Sequence, residues 1–199
     1  MTDGLFAADE SNTALGPEEQ LDLIPSLSTR AELNEVERAN IYAARVWAMR
    51  ARTLKRSDLL TDAFARELHR RMFNQAWRWA GHYRKTEKNL GWEVARITEG
   101  VRNAFDDARA WMEFSTYPLH EAAVRLHHRL VVIHPWPNGN GRHSRLMADV
   151  MIAASKGEEL TWGSRGNLVA IGDARRRYLQ AIKLADAGNF EPLLAFAQG

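Results

Sequence analysis

Residues 134–145 read His-Pro-Trp-Pro-Asn-Gly-Asn-Gly-Arg-His-Ser-Arg, and this stretch decides both the fold and the chemistry that we expect. It follows an apolar run over residues 130–133 that is typical of the end of a buried helix. Prolines at positions 135 and 137 exclude a continuous helix through the turn, so His134 is expected at the mouth of a loop. The sequence therefore predicts a helix, a short loop that carries a histidine, and a second helix.

The second half of the stretch is typical of a phosphate-binding turn. Gly139 and Gly141 allow positive φ angles and a close approach of a ligand to the backbone. Backbone N–H groups at the start of a helix attract anions. Arg142 and Arg145 fall on one helical face and can fork onto phosphate oxygens. A histidine beside such a turn is the minimum needed to move a phosphoryl or nucleotidyl group.

This stretch resembles the signature of the Fic family, HPFx[DE]GNGRxxR, at all positions except two. Trp136 stands where phenylalanine is usual, and Asn138 stands where an aspartate or glutamate is usual. Residues 79–84, Trp-Ala-Gly-His-Tyr-Arg, resemble the entry to the family's β-hairpin flap. A further set of residues near the end of the chain resembles the family's C-terminal helix: Tyr178, Ala181, Ala185, Asp186 and Gly188. The residues around 29–35 further resemble the mobile mystery protein B subgroup.

The resemblance implies a protein adenylyltransferase that moves AMP from ATP, with Mg²⁺, to a tyrosine, threonine or serine hydroxyl of a target protein. His134 would deprotonate the hydroxyl as a general base. The phosphates would be bound by a set of five residues: Gly139, Asn140, Gly141, Arg142 and Arg145. A flap over Lys88, Asn89, Leu90 and Gly91 would dock the target segment as an added strand.

Asn138 is the candidate metal ligand, because the family's acid at this position holds Mg²⁺ between the phosphates. A neutral amide oxygen still coordinates Mg²⁺ but adds no charge, so a weaker metal anchor is expected. Three alternatives stay open: another phosphate-bearing donor, a phosphotransferase or de-AMPylase reaction in the same site, and a catalytically idle nucleotide-sensing module.

An N-terminal helix is the second candidate for function. Many Fic proteins silence themselves through a glutamate in the pattern [ST]xxxE[GN], and residues 28–32 satisfy its first five positions. By resemblance Glu32, or alternatively Glu35, would pair with Arg145 and occupy the γ-phosphate position. The residues alone allow a second interpretation, in which Thr29 and Glu32 form a capping box at the helix start.

The expected fold is a single all-α domain: a Fic-type helical bundle with a small β-hairpin flap over the active site. Residues 82–97 interrupt the helical pattern and predict the hairpin. Apolar spacing predicts helices over about 29–52, 64–72, 101–112, 119–133, 140–155 and 168–185. The expected organisation is an N-terminal tail over 1–27, an inhibitory helix region over 28–54 packed on the core, and the Fic core over 55–199.

The composition of the chain indicates which broad class of protein it belongs to. With 199 residues, 45% apolar residues and seven tryptophans, the chain has the composition of a packed globular protein. A net charge of +2 is too small to indicate a nucleic-acid binder, and residues 175–177, three arginines, predict a solvated helix face. No cysteine is present, and neither a signal pattern nor a long apolar stretch occurs, so a cytoplasmic protein without a membrane partner is expected. The resemblance adds a homodimer as a further expectation.

Overall fold

The computed structural model describes Leu5, residues 15–163 and residues 172–199. Within these ranges the chain forms nine α-helices and one short 3-10 turn at Val94–Arg96. The helices are α1 (Pro17–Gln20), α2 (Arg30–Ala48), α3 (Ala51–Leu54), α4 (Asp62–Phe73), α5 (Ile97–Glu113), α6 (Leu119–Ile133), α7 (Asn140–Ala154), α8 (Asp173–Asp186) and α9 (Glu191–Gln198).

Helices α6 and α7 form the centre of the bundle. Helix α7 is apolar on several sides, since residues 146–148 and 150–152 are all buried. Helix α5 packs along α6, while α2 packs on α4, which in turn contacts α7. Helices α8 and α9 pair with each other, and α9 contacts α6. The predicted all-α bundle is confirmed.

The two central helices are joined by the motif loop. Helix α6 ends at Ile133 because His134 adopts a left-handed conformation, with φ 54° and ψ 57°, and a proline follows. Helix α7 begins after Gly139, whose φ is 80°. This short loop brings the histidine next to the first turn of α7.

One predicted helix is interrupted in the structure. The helix expected over about 29–52 divides into α2 and α3, because Arg50 has an extended backbone, with φ −66° and ψ 139°. The hydroxyl of Thr53 donates to the carbonyl of Trp47 at 2.9 Å, so a side-chain hydrogen bond competes with the helical one. At the other end of the chain, α8 confirms part of the last predicted helix, whereas Leu168 and Ile171 lie outside the described residues.

The hairpin expected over 82–97 is not formed as paired strands. Its backbone groups bind the end of α6 and the motif loop instead of each other. The N–H of Arg84 donates to the carbonyl of Pro135 at 2.9 Å, and the N–H of Trp92 donates to that of Ile133 at 3.1 Å. The segment is therefore an irregular loop that packs over His134, and the 3-10 turn lies near its end.

Residues 15–24 lie on the core, although the sequence predicted a tail there. Leu23 forms an isolated antiparallel bridge with Trp77, and the N–H of Ile24 donates to the carbonyl of Ala76 at 2.8 Å. Glu19 is buried. Its carboxylate accepts a hydrogen bond from the Gly16 N–H at 2.7 Å and pairs with Lys88. Sequence reasoning missed these contacts because they are formed with distant residues.

None of the helices in the described part of the chain is both long enough and apolar enough to cross a membrane.

Candidate active site

His134 occupies the point where α6 ends. Its backbone N–H donates to the carbonyl of Leu130 at 3.1 Å in the last turn of α6, and its ring is hydrogen-bonded to the backbone of Val131. Burial is the main cause that lowers the pKa of His134 to about 4, and the cations Arg84 and Lys88 lower it further. The imidazole is therefore neutral near pH 7 and has a lone pair available for a proton.

The first turn of α7 has the geometry of an anion site. Its first backbone N–H groups have no acceptor within the helix, and the positive end of the helix dipole lies there. Gly139 is required at the entry, because its φ is positive and a Cβ would overlap the ring of Phe73. The side chain of Asn140 binds the loop, since it donates to the carbonyl of Trp136 and accepts from its N–H, both at 2.9 Å. Asn140 can therefore offer a phosphate only its backbone N–H.

Arg145 lies beside this turn without an acidic partner among the residues that the structure describes. A Cβ at Gly141 would be 3.4 Å from Nη1 of Arg145, so the guanidinium borders the anion site. Its side chain is hydrogen-bonded to the hydroxyl of Tyr178, and burial lowers its pKa. Asp149, one turn further along α7, pairs with Arg45 at 2.7 Å instead. A half-buried cation whose hydrogen-bond partner in the described part of the chain is a neutral hydroxyl is suited to a phosphate.

Tyr178 connects Arg145 to a buried histidine. Its hydroxyl lies 3.1 Å from Nε2 of His127. Burial lowers the pKa of His127 and raises the pKa of Tyr178, so both groups are neutral near pH 7. These partners orient the guanidinium of Arg145 but do not cancel its charge.

Arg142 is paired, in contrast to Arg145. Its Nη1 lies 2.6 Å from a carboxylate oxygen of Glu37 on α2, and its guanidinium covers the ring of Phe73 at 5.0 Å. The other oxygen of Glu37 accepts from the indole N–H of Trp77 at 2.7 Å. Both oxygens of this buried carboxylate are therefore hydrogen-bonded, and one arginine of the predicted pair is neutralised.

Asn138 turns its amide oxygen toward the loop. This oxygen accepts from the N–H of Gly139 and from Nη2 of Arg142 at 3.2 Å. In the described part of the chain, no group of three or more histidine, aspartate and glutamate side chains could hold a metal ion. The protein side chains thus form no metal cage at this position.

Two buried histidines support the motif loop. Nδ1 of His69 accepts from the N–H of Gly81 at 3.0 Å, so Nε2 carries the proton and donates to the carbonyl of Asn138 at 3.2 Å. His143 accepts from the indole of Trp136 at 3.2 Å and lies 3.0 Å from the carbonyl of Ala65. Burial lowers the pKa of His143 to about 4. Both side chains support the motif loop through these hydrogen bonds.

The predicted flap lies next to His134. Leu90 is exposed, and a Cβ at Gly91 would lie 2.5 Å from Cβ of His134. The ammonium of Lys88 is bound by Glu19, so the N-terminal segment lies against the flap. Asn89, between Lys88 and Leu90 in the sequence, is exposed.

The two glutamates predicted to inhibit the site are not brought to it. Glu32 accepts from the backbone N–H groups of Ser28 and Thr29 at 2.8 and 2.9 Å, which is the capping box. These hydrogen bonds lower the pKa of Glu32. Glu35 is exposed and pairs with Arg38 at 2.8 Å. Glu37, two residues further along α2, is the carboxylate that reaches a motif arginine.

Comparison with known proteins now identifies the fold family. Residues 59–152 match the model of the Fic/DOC family. This stretch is a Fic/DOC family domain. It contains α4 to most of α7, and so includes His134, the anion site and both motif arginines, while Glu37 and Tyr178 lie outside the matched range.

Several curated proteins are similar to the chain around this Fic/DOC domain. Protein adenylyltransferase Fic of Nematostella vectensis is 30% identical over 151 residues, which cover 72% of this chain and 33% of that protein. Protein adenylyltransferase fic-1 of Caenorhabditis elegans is 26% identical over 135 residues, which cover 65% of this chain and 25% of that protein. The chain therefore spans about a quarter to a third of the length of the curated relatives it matches.

Solved structures show the same fold. Fic-1 (residues 134–508) from C. elegans superimposes with a TM-score of 0.65 at 21% identity, covering 91% of this chain and 52% of that chain. BepC of Bartonella tribocorum, solved with bound AMPPNP, gives a TM-score of 0.64 at 16% identity and covers 92% and 97%. At these identities the comparison supports the fold alone.

Sequence reasoning missed three residues around the site, namely Glu37, Arg84 and His69. Each one acts through a contact with a residue far away in the sequence, so no spacing rule marks it. Glu37 is buried while the neighbouring acids of α2 are exposed, but this difference is known only from the structure.

Proposed function

We propose that the chain is a protein adenylyltransferase that transfers AMP from ATP to a tyrosine, threonine or serine hydroxyl of a target protein. One observation carries the proposal: the neutral His134 lies next to a helix start that is bordered by Arg145, a half-buried cation without an acidic partner in the described residues. The names of the curated relatives support the same reaction.

His134 would act as the general base. The hydroxyl oxygen attacks the α-phosphorus while its proton passes to the neutral imidazole. The new P–O bond forms as the bond to the bridging oxygen of the β-phosphate breaks, and pyrophosphate leaves. Bound phosphates add negative charge near the ring, so they raise its pKa from about 4 toward the working pH and make it a better base.

The anion site would align the phosphates for this attack. The backbone N–H groups of Asn140, Gly141 and Arg142 point along the axis of α7, and Arg145 supplies a charge that its tyrosine partner does not cancel. Most of the rate gain is then expected from positioning and charge neutralisation, as in other phosphate chemistry.

The residues present do not fit a tightly held Mg²⁺ ion. The amide oxygen of Asn138 already accepts two hydrogen bonds and carries no charge. We therefore treat Mg²⁺ as part of the MgATP substrate, held by the phosphates and water, and we assign no step to a resident metal.

We assign the inhibitory contact to Glu37 rather than to Glu32 or Glu35. Its carboxylate occupies Arg142, which the nucleotide would otherwise use for its β/γ-phosphate end. Because the buried Glu37 carboxylate holds Arg142 at 2.6 Å, ATP must displace or share the carboxylate before Arg142 can bind it. The proposed resting state of the enzyme is therefore one in which Arg142 is neutralised.

The flap over Lys88, Asn89, Leu90 and Gly91 is the proposed docking segment for the target. Its exposed leucine and its position beside His134 would place a bound hydroxyl near the base. The cytoplasmic location, the homodimer and the mobile mystery protein B subgroup stay predictions.

The test is label transfer from ATP to protein in a bacterial lysate. Wild type is incubated with α-labelled and, separately, with γ-labelled ATP, and the proteins are separated on a gel. Label from the α-position alone is expected. Label from the γ-position alone would indicate a phosphotransferase, and bound nucleotide without any transfer would indicate a sensing module.

A further inference from the structure

Three successive carbonyls at the end of α6 and the start of the motif loop are bound by one short segment. The backbone N–H of Trp92 donates to the carbonyl of Ile133, and the backbone N–H of Arg84 donates to the carbonyl of Pro135. The Nε of Arg84 donates to the carbonyl of His134 itself at 2.8 Å. The backbone of the base is therefore fixed on both sides and at its centre by residues 84–92.

The guanidinium of Arg84 is completely buried and has several acceptors. Besides His134 it donates to the carbonyls of Thr86, at 2.9 Å, and Trp92, and it lies 3.4 Å from a carboxylate oxygen of Glu87. The side chain of Arg84 is 0% exposed, whereas that of Glu87 is 64% exposed. Most of its donors thus go to neutral carbonyls, so a largely uncancelled positive charge lies beside the base.

The conformation that Arg84 binds is a costly one. A residue other than glycine is sterically strained in the left-handed region, and His134 lies there with φ 54°. Such a conformation persists only where its surroundings determine it, and the hydrogen bond from Nε of Arg84 is part of those surroundings. Gly91 packs closely on both residues, since a Cβ there would lie 2.5 Å from Cβ of His134 and 3.1 Å from Nη2 of Arg84.

We propose that Arg84 is a positioning residue, which holds His134 in its left-handed conformation and keeps a fixed cation next to the imidazole. The kinetic part of this inference rests on the proposed function. The orientation and the protonation of the His134 ring are independent of the proposed function, because they depend only on contacts within the protein.

The charged groups near His134 come from the loop over residues 82–97 and from the N-terminal segment over residues 15–24. Arg84 and Lys88 both lower the pKa of His134, after burial, which is the largest cause. Glu87 contacts Arg84 and is mostly exposed, and Glu19 of the N-terminal segment pairs with Lys88. Removal of Arg84 leaves burial and Lys88 in place, so only part of the shift is expected to be lost.

The experiment is an NMR titration of the histidine rings in full-length protein, with the His134 signal assigned from its absence in His134→Ala. In Arg84→Gln the pKa of His134 is expected to rise by about one unit relative to wild type. In Arg84→Lys the charge is kept, so a smaller rise is expected, although the hydrogen bonds to the carbonyls are weakened. Arg56→Gln is the control, because it removes another arginine that pairs with acids, Asp58 and Glu67. It is expected to leave the His134 pKa unchanged.

The same variants are assayed for AMP transfer. Both Arg84 variants are expected to lower kcat by about tenfold, because the loss of ring positioning outweighs the gain in basicity from the higher pKa. The change in KM for ATP is expected to be smaller, since Arg84 lies outside the anion site. A folded Arg84→Gln protein with an unchanged His134 pKa and an unchanged kcat would overturn the proposal. If wild type transfers no AMP, the proposed function fails, and the NMR titration still decides the role of Arg84.

If Arg84→Gln does not fold, Gly91→Ala provides the second test. Its methyl group would press on Cβ of His134 and on Nη2 of Arg84, and so displace one from the other while the arginine is retained. A shifted titration of His134 is expected, and an unshifted one in the folded variant would contradict the proposal.

Discussion

Replacing Glu37 by glutamine tests whether the buried carboxylate restrains the site. Glutamine keeps an oxygen that can accept from the indole N–H of Trp77, and it removes the charge opposite Arg142. The amide group then presents its NH₂ to the guanidinium, so Arg142 loses this acceptor and becomes available to a phosphate.

The size of the effect follows from the geometry. The carboxylate of Glu37 is 4% exposed, Arg142 is 22% exposed, and their atoms lie 2.6 Å apart. A hydrogen bond to a charged group contributes about 1.5–3 kcal/mol net, so ATP should bind about 10 to 100 times more tightly once Arg142 is released. Without ATP, we expect the variant to lose about 1–3 kcal/mol of unfolding free energy, because solvent replaces only part of the lost pair.

Calorimetric titration with MgATP measures the affinity, and urea unfolding measures the stability. Glu35→Gln is the matched control, since Glu35 lies on the same helix, is exposed and pairs only with Arg38. Glu32→Gln tests the original prediction, and its capping role implies a small loss of stability with unchanged ATP affinity.

Weaker or unchanged ATP binding by Glu37→Gln would refute the reasoning. It would mean that Glu37 orients Arg142 for the nucleotide and does not compete with it. A tighter complex with Glu32→Gln would return the inhibitory role to the residue that the sequence first indicated.

The remaining predictions concern protonation, the partner of Arg145 and the metal. Because His134 and His143 have a pKa of about 4 in the fold, against 6.5 as the reference, the unfolded chain binds more protons between these values. Unfolding free energy should therefore fall as the pH falls from 6.5 to about 4, by on the order of 3 kcal/mol per histidine, in urea titrations across that range. Tyr178→Phe removes the hydroxyl that binds Arg145 and should raise KM for ATP about tenfold in a transfer assay. Asn138→Asp adds a charge and should lower the Mg²⁺ concentration needed for half-maximal transfer.

Each of these predictions has a result that contradicts it. Constant stability between pH 6.5 and 4 would show that the histidines titrate normally. An unchanged KM in Tyr178→Phe would mean that Arg145 is oriented without the hydroxyl, and Tyr42→Phe, on the exposed face of α2, controls for the substitution itself. An unchanged Mg²⁺ requirement in Asn138→Asp would place the metal away from this side chain.

The sequence predicted the centre of the molecule well, because local rules determine it. Prolines and glycines mark the loop, apolar spacing marks α6 and α7, and both helices end within a residue or so of the predicted bounds. The residues brought together at the loop, His134 and the two arginines, are consecutive parts of one motif. Local chemistry was therefore sufficient to find them.

The rest depends on contacts between distant residues. The segment over 82–97 has a turn-rich composition, yet Arg84 and Trp92 bind the backbone of α6 and the motif loop, and no strand pair forms within the segment. Similarly, Glu32 satisfies a local pattern as a cap, while Glu37 reaches Arg142 across the bundle. Sequence spacing contains no information on which of several acids on one helix is buried against a particular arginine.

The most direct test of the central claim is α-labelled ATP with wild type and Glu37→Gln, each prepared with and without His134→Ala. After incubation with a bacterial lysate, labelled protein bands are read by autoradiography. We expect label with both proteins that retain His134, stronger with Glu37→Gln, and none with either protein that lacks it. Label that persists without His134 would contradict its assignment as the base for AMP transfer.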